Sequence, residues 1–105
     1  ARLRIMDSGG RMDRSVFDVS GEVMLVPQFT LYANTRKGRR PDFSDAATPD
    51  KARPLLEQLR FKLSNIGLRV VTGEFGTQMI VDLSNDGPVT IIIDSKDRHR
   101  SREAL

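Results

Sequence analysis

The stretch Thr48-Pro49-Asp50-Lys51-Ala52-Arg53-Pro54-Leu55-Leu56-Glu57-Gln58-Leu59-Arg60-Phe61-Lys62-Leu63-Ser64-Asn65-Ile66-Gly67 decides the fold class. Ala52, Leu55, Leu56, Leu59, Leu63 and Ile66 recur at three- and four-residue spacing, the apolar stripe of an amphipathic helix ending before Gly67. Thr48 or Asp50 can cap its start, and Pro49 suits its first turn. Pro54 is a local conflict: unless the helix effectively starts there, it removes one intrahelical bond and is expected to kink the first turns. Nothing else in the chain has helical period, so this stripe is expected to cover a sheet as core.

Upstream of the helix the pattern is strand-like. Leu3 and Ile5 alternate with arginines before the turn residues Asp7-Ser8-Gly9-Gly10, predicting a short strand and a hairpin-like turn. A second strand is expected over Ser15 to Val19. Ser20-Gly21 then turns the chain into a β-rich run from Glu22 to Tyr32. Pro27 interrupts that run, which predicts a sheet edge, a bulge or a break just before Gln28. Residues 34 to 47 read as a polar loop.

Downstream, Leu68 to Thr72 returns as a strand, Gly73-Glu74-Phe75-Gly76 turns, and Gln78 to Leu83 alternates between two faces. Val89 to Ile93 is nearly continuously apolar and is expected to close the sheet, buried on both sides. Asn85-Asp86-Gly87-Pro88-Val89-Thr90 lies between these last two runs as a rigid loop, since Pro88 cannot donate a ladder hydrogen bond. Strands, one helix, then strands make an α+β domain with a mixed or antiparallel sheet.

The chain has 105 residues, no cysteine, one histidine and a formal net charge of +3. One domain is expected, over residues 1–95, followed by a basic, disordered tail from 96 to 105. The lack of cysteine excludes disulfides, thiolate catalysis and common zinc-finger patterns, and one histidine excludes His-cluster metal sites. No metal or added cofactor is expected. No apolar run approaches the roughly 20 residues needed to span a bilayer, and no secretory signal pattern opens the chain. The expected location is therefore cytoplasmic, with no membrane partner. Charge is concentrated at Arg36-Lys37-Gly38-Arg39-Arg40, four cations without an acid. Composition alone leaves that segment open between a solubilising loop and a polyanion contact.

The remaining polar groups at strand ends are neutral: Gln28, Thr30, Asn85 and Thr90. Any one alone reads as strand-end hydrogen bonding. His99 lies in the basic tail, so no Ser-His-Asp or Cys-His arrangement is available, and no carboxylate pair stands out. Neutral donors and backbone amides suit a reaction that needs orientation and oxyanion stabilisation. An activated ester fits that requirement.

Four separated motifs in order, Pro27-Gln28-Phe29-Thr30-Leu31-Tyr32, Arg36-Lys37-Gly38-Arg39-Arg40-Pro41, Phe75-Gly76-Thr77-Gln78-Met79 and the Gly87-Pro88 loop, resemble the D-aminoacyl-tRNA deacylases, formerly called D-tyrosyl-tRNA deacylases. The resemblance runs from about Leu3 to Ser95. It implies a barrel-like core carrying one main helix, and a cofactor-independent homodimer with active sites at the subunit interface. It implies hydrolysis of D-aminoacyl-tRNA, and of glycine mischarged onto non-cognate tRNA, releasing the amino acid and intact tRNA.

In that family the dipeptide matching Gly87-Pro88 is a cis peptide that reaches into the partner's pocket and excludes L side chains. Gln28 and Thr30 line the same site, and Thr30 matches a threonine once proposed as nucleophile. An unassisted threonine hydroxyl is a poor nucleophile, so a positioning role is assigned to it first. Phe29, Phe75, Met79, Asn85 and Thr90 would form the substrate pocket, with core burial an equal reading for Phe75. Arg36, Lys37, Arg39 and Arg40 would hold tRNA phosphates.

Two departures stand out. Pro27 occupies the position of a family serine, removing a hydroxyl and an N–H. The chain also begins at a point matching the interior of the family sequence, so a deacylase lacking its N-terminal portion is expected, with strand edges unpaired and apolar surface exposed. The alternative reading is a non-catalytic RNA-binding module or an inactive fragment.

Overall fold

The computed structural model describes residues 1–99. Its elements are β1 (Arg4–Ser8), β2 (Arg11–Ser15), β3 (Glu22–Leu25), a 3-10 helix (Phe29–Tyr32), α1 (Pro49–Asn65), β4 (Arg69–Thr72) and a second 3-10 helix (Ser95–His99). The architecture is α+β.

The β1–β2 pair is an antiparallel hairpin whose turn residues, Gly9 and Gly10, both have positive φ (64° and 88°). Such angles at both central positions match the right-handed twist of the strands, and glycine adopts them without strain. The second strand lies earlier than expected: β2 is Arg11–Ser15, and the chain turns where a strand over Ser15 to Val19 was predicted. A reciprocal pair causes this turn. Ser15 N–H donates to Asp18 Oδ2 at 2.8 Å, and Asp18 N–H donates to Ser15 Oγ at 3.0 Å. Side chains that satisfy backbone donors locally compete with a ladder.

β3 pairs with β4 in parallel, from Glu22 opposite Arg69 to Leu25 opposite Thr72. The connection between them contains α1, as parallel neighbours require a crossover. Along β3, Val23 and Leu25 are half-buried while Glu22 and Met24 face out. Of the three outcomes predicted at Pro27, the break is the one found: the strand stops at Leu25. Residues 29–32 wind into a 3-10 turn.

α1 starts after Thr48 with Pro49 in its first turn and Asp50 beside the positive end of its dipole. Pro54 lies inside it. At the other end Gly67 has φ 100°. Gly67 N–H donates to Ser64 O (3.0 Å) and Leu68 N–H to Leu63 O (3.3 Å), the Schellman pattern that satisfies the last carbonyls. This closure aims Leu68 inward, where it is the buried apolar side chain of the described residues. Only part of the expected stripe is covered. Ala52, Leu56 and Leu63 are half-buried, whereas Leu55, Leu59 and Ile66 are exposed.

The last two expected strands are corrected by the structure. Gln78 to Leu83 and Val89 to Ile93 join no ladder, and the isoleucines at 80 and 92 are 89% and 91% exposed. Alternation specifies faces, but a strand also needs a neighbour about 4.8 Å away to exchange hydrogen bonds with. Among the described residues none is placed there, so the two small sheets remain separate and close no barrel. Of the expected tail, 96–99 lies within the second 3-10 helix, and 100–105 falls outside the described residues.

Candidate functional site

Where β3 ends, Val26, Pro27 and Gln28 leave the sheet and the 3-10 turn begins. Gln28 is its N-cap in extended conformation (φ −149°, ψ 92°). Its side-chain Nε2 donates to Thr30 Oγ1. Next along, the Phe29 ring meets Phe43 edge-on, centroids 5.2 Å apart at 81°. Phe43 is brought there by the loop between them: Asn34 and Asp42 exchange both backbone hydrogen bonds, at 2.7 and 2.9 Å.

From the other side the chain returns after β4, carrying Phe75 and Met79. These pieces, with Ala52 and Leu56 of α1, enclose a cleft of about 890 Å³. Its size and predominantly apolar wall suit a small organic group held by a few polar atoms.

The structure brings Gln28, Phe29, Phe75 and Met79 together on this cleft. Thr30, half-buried, touches it through Gln28. Asn85, Gly87, Pro88 and Thr90 are exposed and do not line it. The Gly87–Pro88 peptide is cis. A Cβ built on Gly87 would stand 2.6 Å from the backbone nitrogen of Val89, so the loop has no room for a side chain at that position without moving its own backbone.

Arg36, Lys37, Arg39 and Arg40 ride the exposed loop closed by the Asn34–Asp42 bridge. Asn34 Oδ1 accepts the N–H of Arg36 at 3.0 Å, which stiffens the first turn of the loop. The ion pairs of the described residues lie elsewhere, Glu57 with Arg60 at 2.8 Å and Glu22 with Arg69 at 3.1 Å. The four cations are left to solvent or to an external anion. Among the described residues, His, Asp and Glu gather nowhere in threes.

Sequence reasoning missed Phe43 and Tyr32 in the cleft wall. Phe43 was read as part of a polar loop. The closure that returns Phe43 is made by backbone groups of Asn34 and Asp42, so no side-chain signal for it stood in the sequence.

A family model described as D-Tyr-tRNA(Tyr) deacylase matches residues 1–94. A D-aminoacyl-tRNA deacylase of Geobacillus sp. (strain WCH70) is 54% identical over 99 residues, covering 93% of this chain and 65% of its own length. One from Roseiflexus castenholzii is 55% identical over 96 residues, covering 90% and 61%. One from Thermus aquaticus is 52% identical over 103 residues, covering 97% and 68%. The chain thus spans less than two thirds of the length of the first two relatives.

Proposed function

Because the chain belongs to the D-Tyr-tRNA(Tyr) deacylase family, we propose that it hydrolyses the ester of D-aminoacyl-tRNA, and of glycine mischarged onto non-cognate tRNA. The observation that carries this reading is the gathering of Gln28, Phe29, Phe75 and Met79 on one cleft beside a loop of four unpaired cations. The relatives named D-aminoacyl-tRNA deacylase support it.

In the proposed reaction water attacks the ester carbonyl carbon. The tetrahedral oxyanion collapses, the bond to the ribose oxygen breaks, and that oxygen takes a proton. The products are the D-amino acid and tRNA. Thr30 acts by hydrogen bonding: its oxygen already accepts from Gln28 Nε2, which leaves its proton free to donate to the substrate. Gln28 orients that hydroxyl. Phe29, Phe75 and Met79 form walls for the aminoacyl-adenosine end, and Arg36, Lys37, Arg39 and Arg40 hold backbone phosphates.

Gly87 and Pro88, which lie off the cleft of their own chain, act in the site of a second copy. There they reject L side chains by steric exclusion, with Asn85 and Thr90 supporting the loop. The proposed enzyme is a cytoplasmic homodimer with one catalytic domain over residues 1–95. Its barrel-like core is completed on assembly, when the 78–94 segment finds ladder partners.

A second reading is favoured by one observation: the basic loop is complete within one chain, while Gly87-Pro88 is not at the cleft. That reading is a non-catalytic RNA-binding module. Matched D- and L-aminoacyl-tRNA distinguish the two, with release of the amino acid as readout. The enzyme reading expects D-selective release, and expects Gly87→Ala or Pro88→Ala to damage release or D/L selection while leaving RNA binding nearly intact. RNA binding without release of either ester would instead establish the module.

A further inference from the structure

Phe75 is a wall shared by two clefts. The smaller, about 350 Å³, is lined by Leu25, Arg53, Thr72 and Gly73, and Pro27, Leu56 and Phe75 border both. Arg53 of α1 enters from the smaller side and places its guanidinium carbon 4.6 Å from the centroid of the Phe75 ring. The carboxylate nearest in sequence on that wall, Glu57, is engaged by Arg60 at 2.8 Å. The Arg53 cation is therefore left to the aromatic face.

Phe75 lies in no strand; the backbone beside it is held by Gly73 N–H donating to Leu25 O (3.2 Å) and by Thr77, whose N–H (3.4 Å) and hydroxyl (2.8 Å) both donate to Glu74 O. Gly73 packs closely on the Met79 side chain, since a Cβ there would overlap Met79 Sδ. The group that lies over the face of the Phe75 ring is the Arg53 guanidinium.

We propose that Arg53 is a positioning residue for ligand binding: stacked on the outer face of Phe75, it holds that ring as the wall against which the aminoacyl-adenosine end packs. The inference rests on the deacylase reading. Arg53 contacts the ring and not the ligand, so its removal weakens binding without changing the chemical step.

The test uses the full-length protein carrying 4-fluorophenylalanine, with the Phe75 signal assigned by Phe75→Leu. The ligand probe is an amide-linked, non-hydrolysable 3′-D-aminoacylamino-3′-deoxyadenosine. Arg53→Met keeps the unbranched stem and removes the charge. It is expected to shift the Phe75 fluorine resonance, to weaken probe binding about three- to fivefold, as an exposed cation–π contact implies, and to leave kcat within about twofold. Arg53→Lys restores binding, and in a Phe75→Leu background Arg53→Met has no further effect.

An unmoved resonance, unchanged probe affinity, or equal weakening in the Phe75→Leu background overturns the proposal. The last result would mean that Arg53 meets the ligand directly. If the unsubstituted protein neither binds the probe nor releases D-amino acids, the deacylase reading falls. The fluorine signal then decides separately whether Arg53 holds the ring.

Discussion

The Thr30 hydroxyl is held by the amide of Gln28, and this contact limits what it can do. A hydroxyl that accepts from an amide, with no base bonded to it among the described residues, can donate a hydrogen bond but is poorly prepared to attack a carbonyl. Thr30→Val is therefore expected to slow single-turnover deacylation by roughly two- to tenfold, the worth of one hydrogen bond. Loss on the order of 10⁶-fold would instead mark a nucleophile. Asp18 gives a second residue-scale prediction. The Ser15 backbone N–H, then the Ser15 hydroxyl, with Arg4 and Arg14 nearby, hold its carboxyl below the usual aspartate range. A depressed folded-state pKa makes a contribution to stability that is fully present above about pH 4 and is lost as pH falls through the folded value. Thermal midpoints followed from neutral pH downward should fall more steeply below that point for the wild-type chain than for Asp18→Asn. Parallel curves would show that the Ser15–Asp18 pair is not what the carboxylate stabilises. The pair was legible as turn chemistry only once Ser15 and Asp18 were seen to bond each other; as letters, Ser15 to Val19 fit a strand equally well.

At the scale of elements, α1 was readable because its signals are local: Gly67 marked its end, the i, i+3, i+4 spacing its body, and Thr48 or Asp50 its start, of which Thr48 holds the N-cap position without a side-chain capping bond. Replacing Gly67 (φ 100°) by alanine is expected to cost about 1–2 kcal/mol, since an L side chain in the left-handed region meets the neighbouring carbonyl. Urea unfolding measures it, and a change within error would mean that the helix end relaxes freely. The loop between Asn34 and Asp42 is the second element with a measurable consequence. Each phosphate neutralised steepens the dependence of log affinity on log salt by roughly 0.7 for single-stranded nucleic acid. Changing Arg36, Lys37, Arg39 and Arg40 together to glutamine should flatten the slope for tRNA by about 2 to 3 units. An unchanged slope would remove this loop from the tRNA interface. Gln78 to Leu83 and Val89 to Ile93 show the reverse case. Their alternation and apolar runs predicted buried faces that the structure leaves largely exposed, because pairing is a relation to another strand and cannot be read within the run itself.

For the whole molecule, area is the informative quantity. The solvent-accessible surface is 9839 Å², against roughly 5,900 Å² for a folded monomer of 11.8 kDa. The radius of gyration is 16.2 Å, where about 13 Å is usual for 100 residues. The surplus on this one chain, about 3,900 Å², is larger than the roughly 1,000–2,500 Å² that each partner gives to an obligate interface, and it includes Ile80, Ile92 and Ile93, all highly exposed. Sedimentation velocity at micromolar concentration is expected to show a dimer that Ile80→Asp with Ile92→Asp shifts towards monomer. A monomer throughout would count against assembly through this surface. Sequence by itself determined the helix, the Gly9-Gly10 turn, an interruption at Pro27 and the cationic loop, because each follows from φ preference, capping or charge within a few residues. It also carried the family, through motifs too many and too well ordered for coincidence. Only the tertiary structure decided that Phe43 returns to face Phe29, that Arg53 stacks on Phe75, and that Gly87-Pro88 lies away from the cleft of its own chain. Those relations join residues distant in the chain, and their energies depend on distances that a linear pattern does not contain.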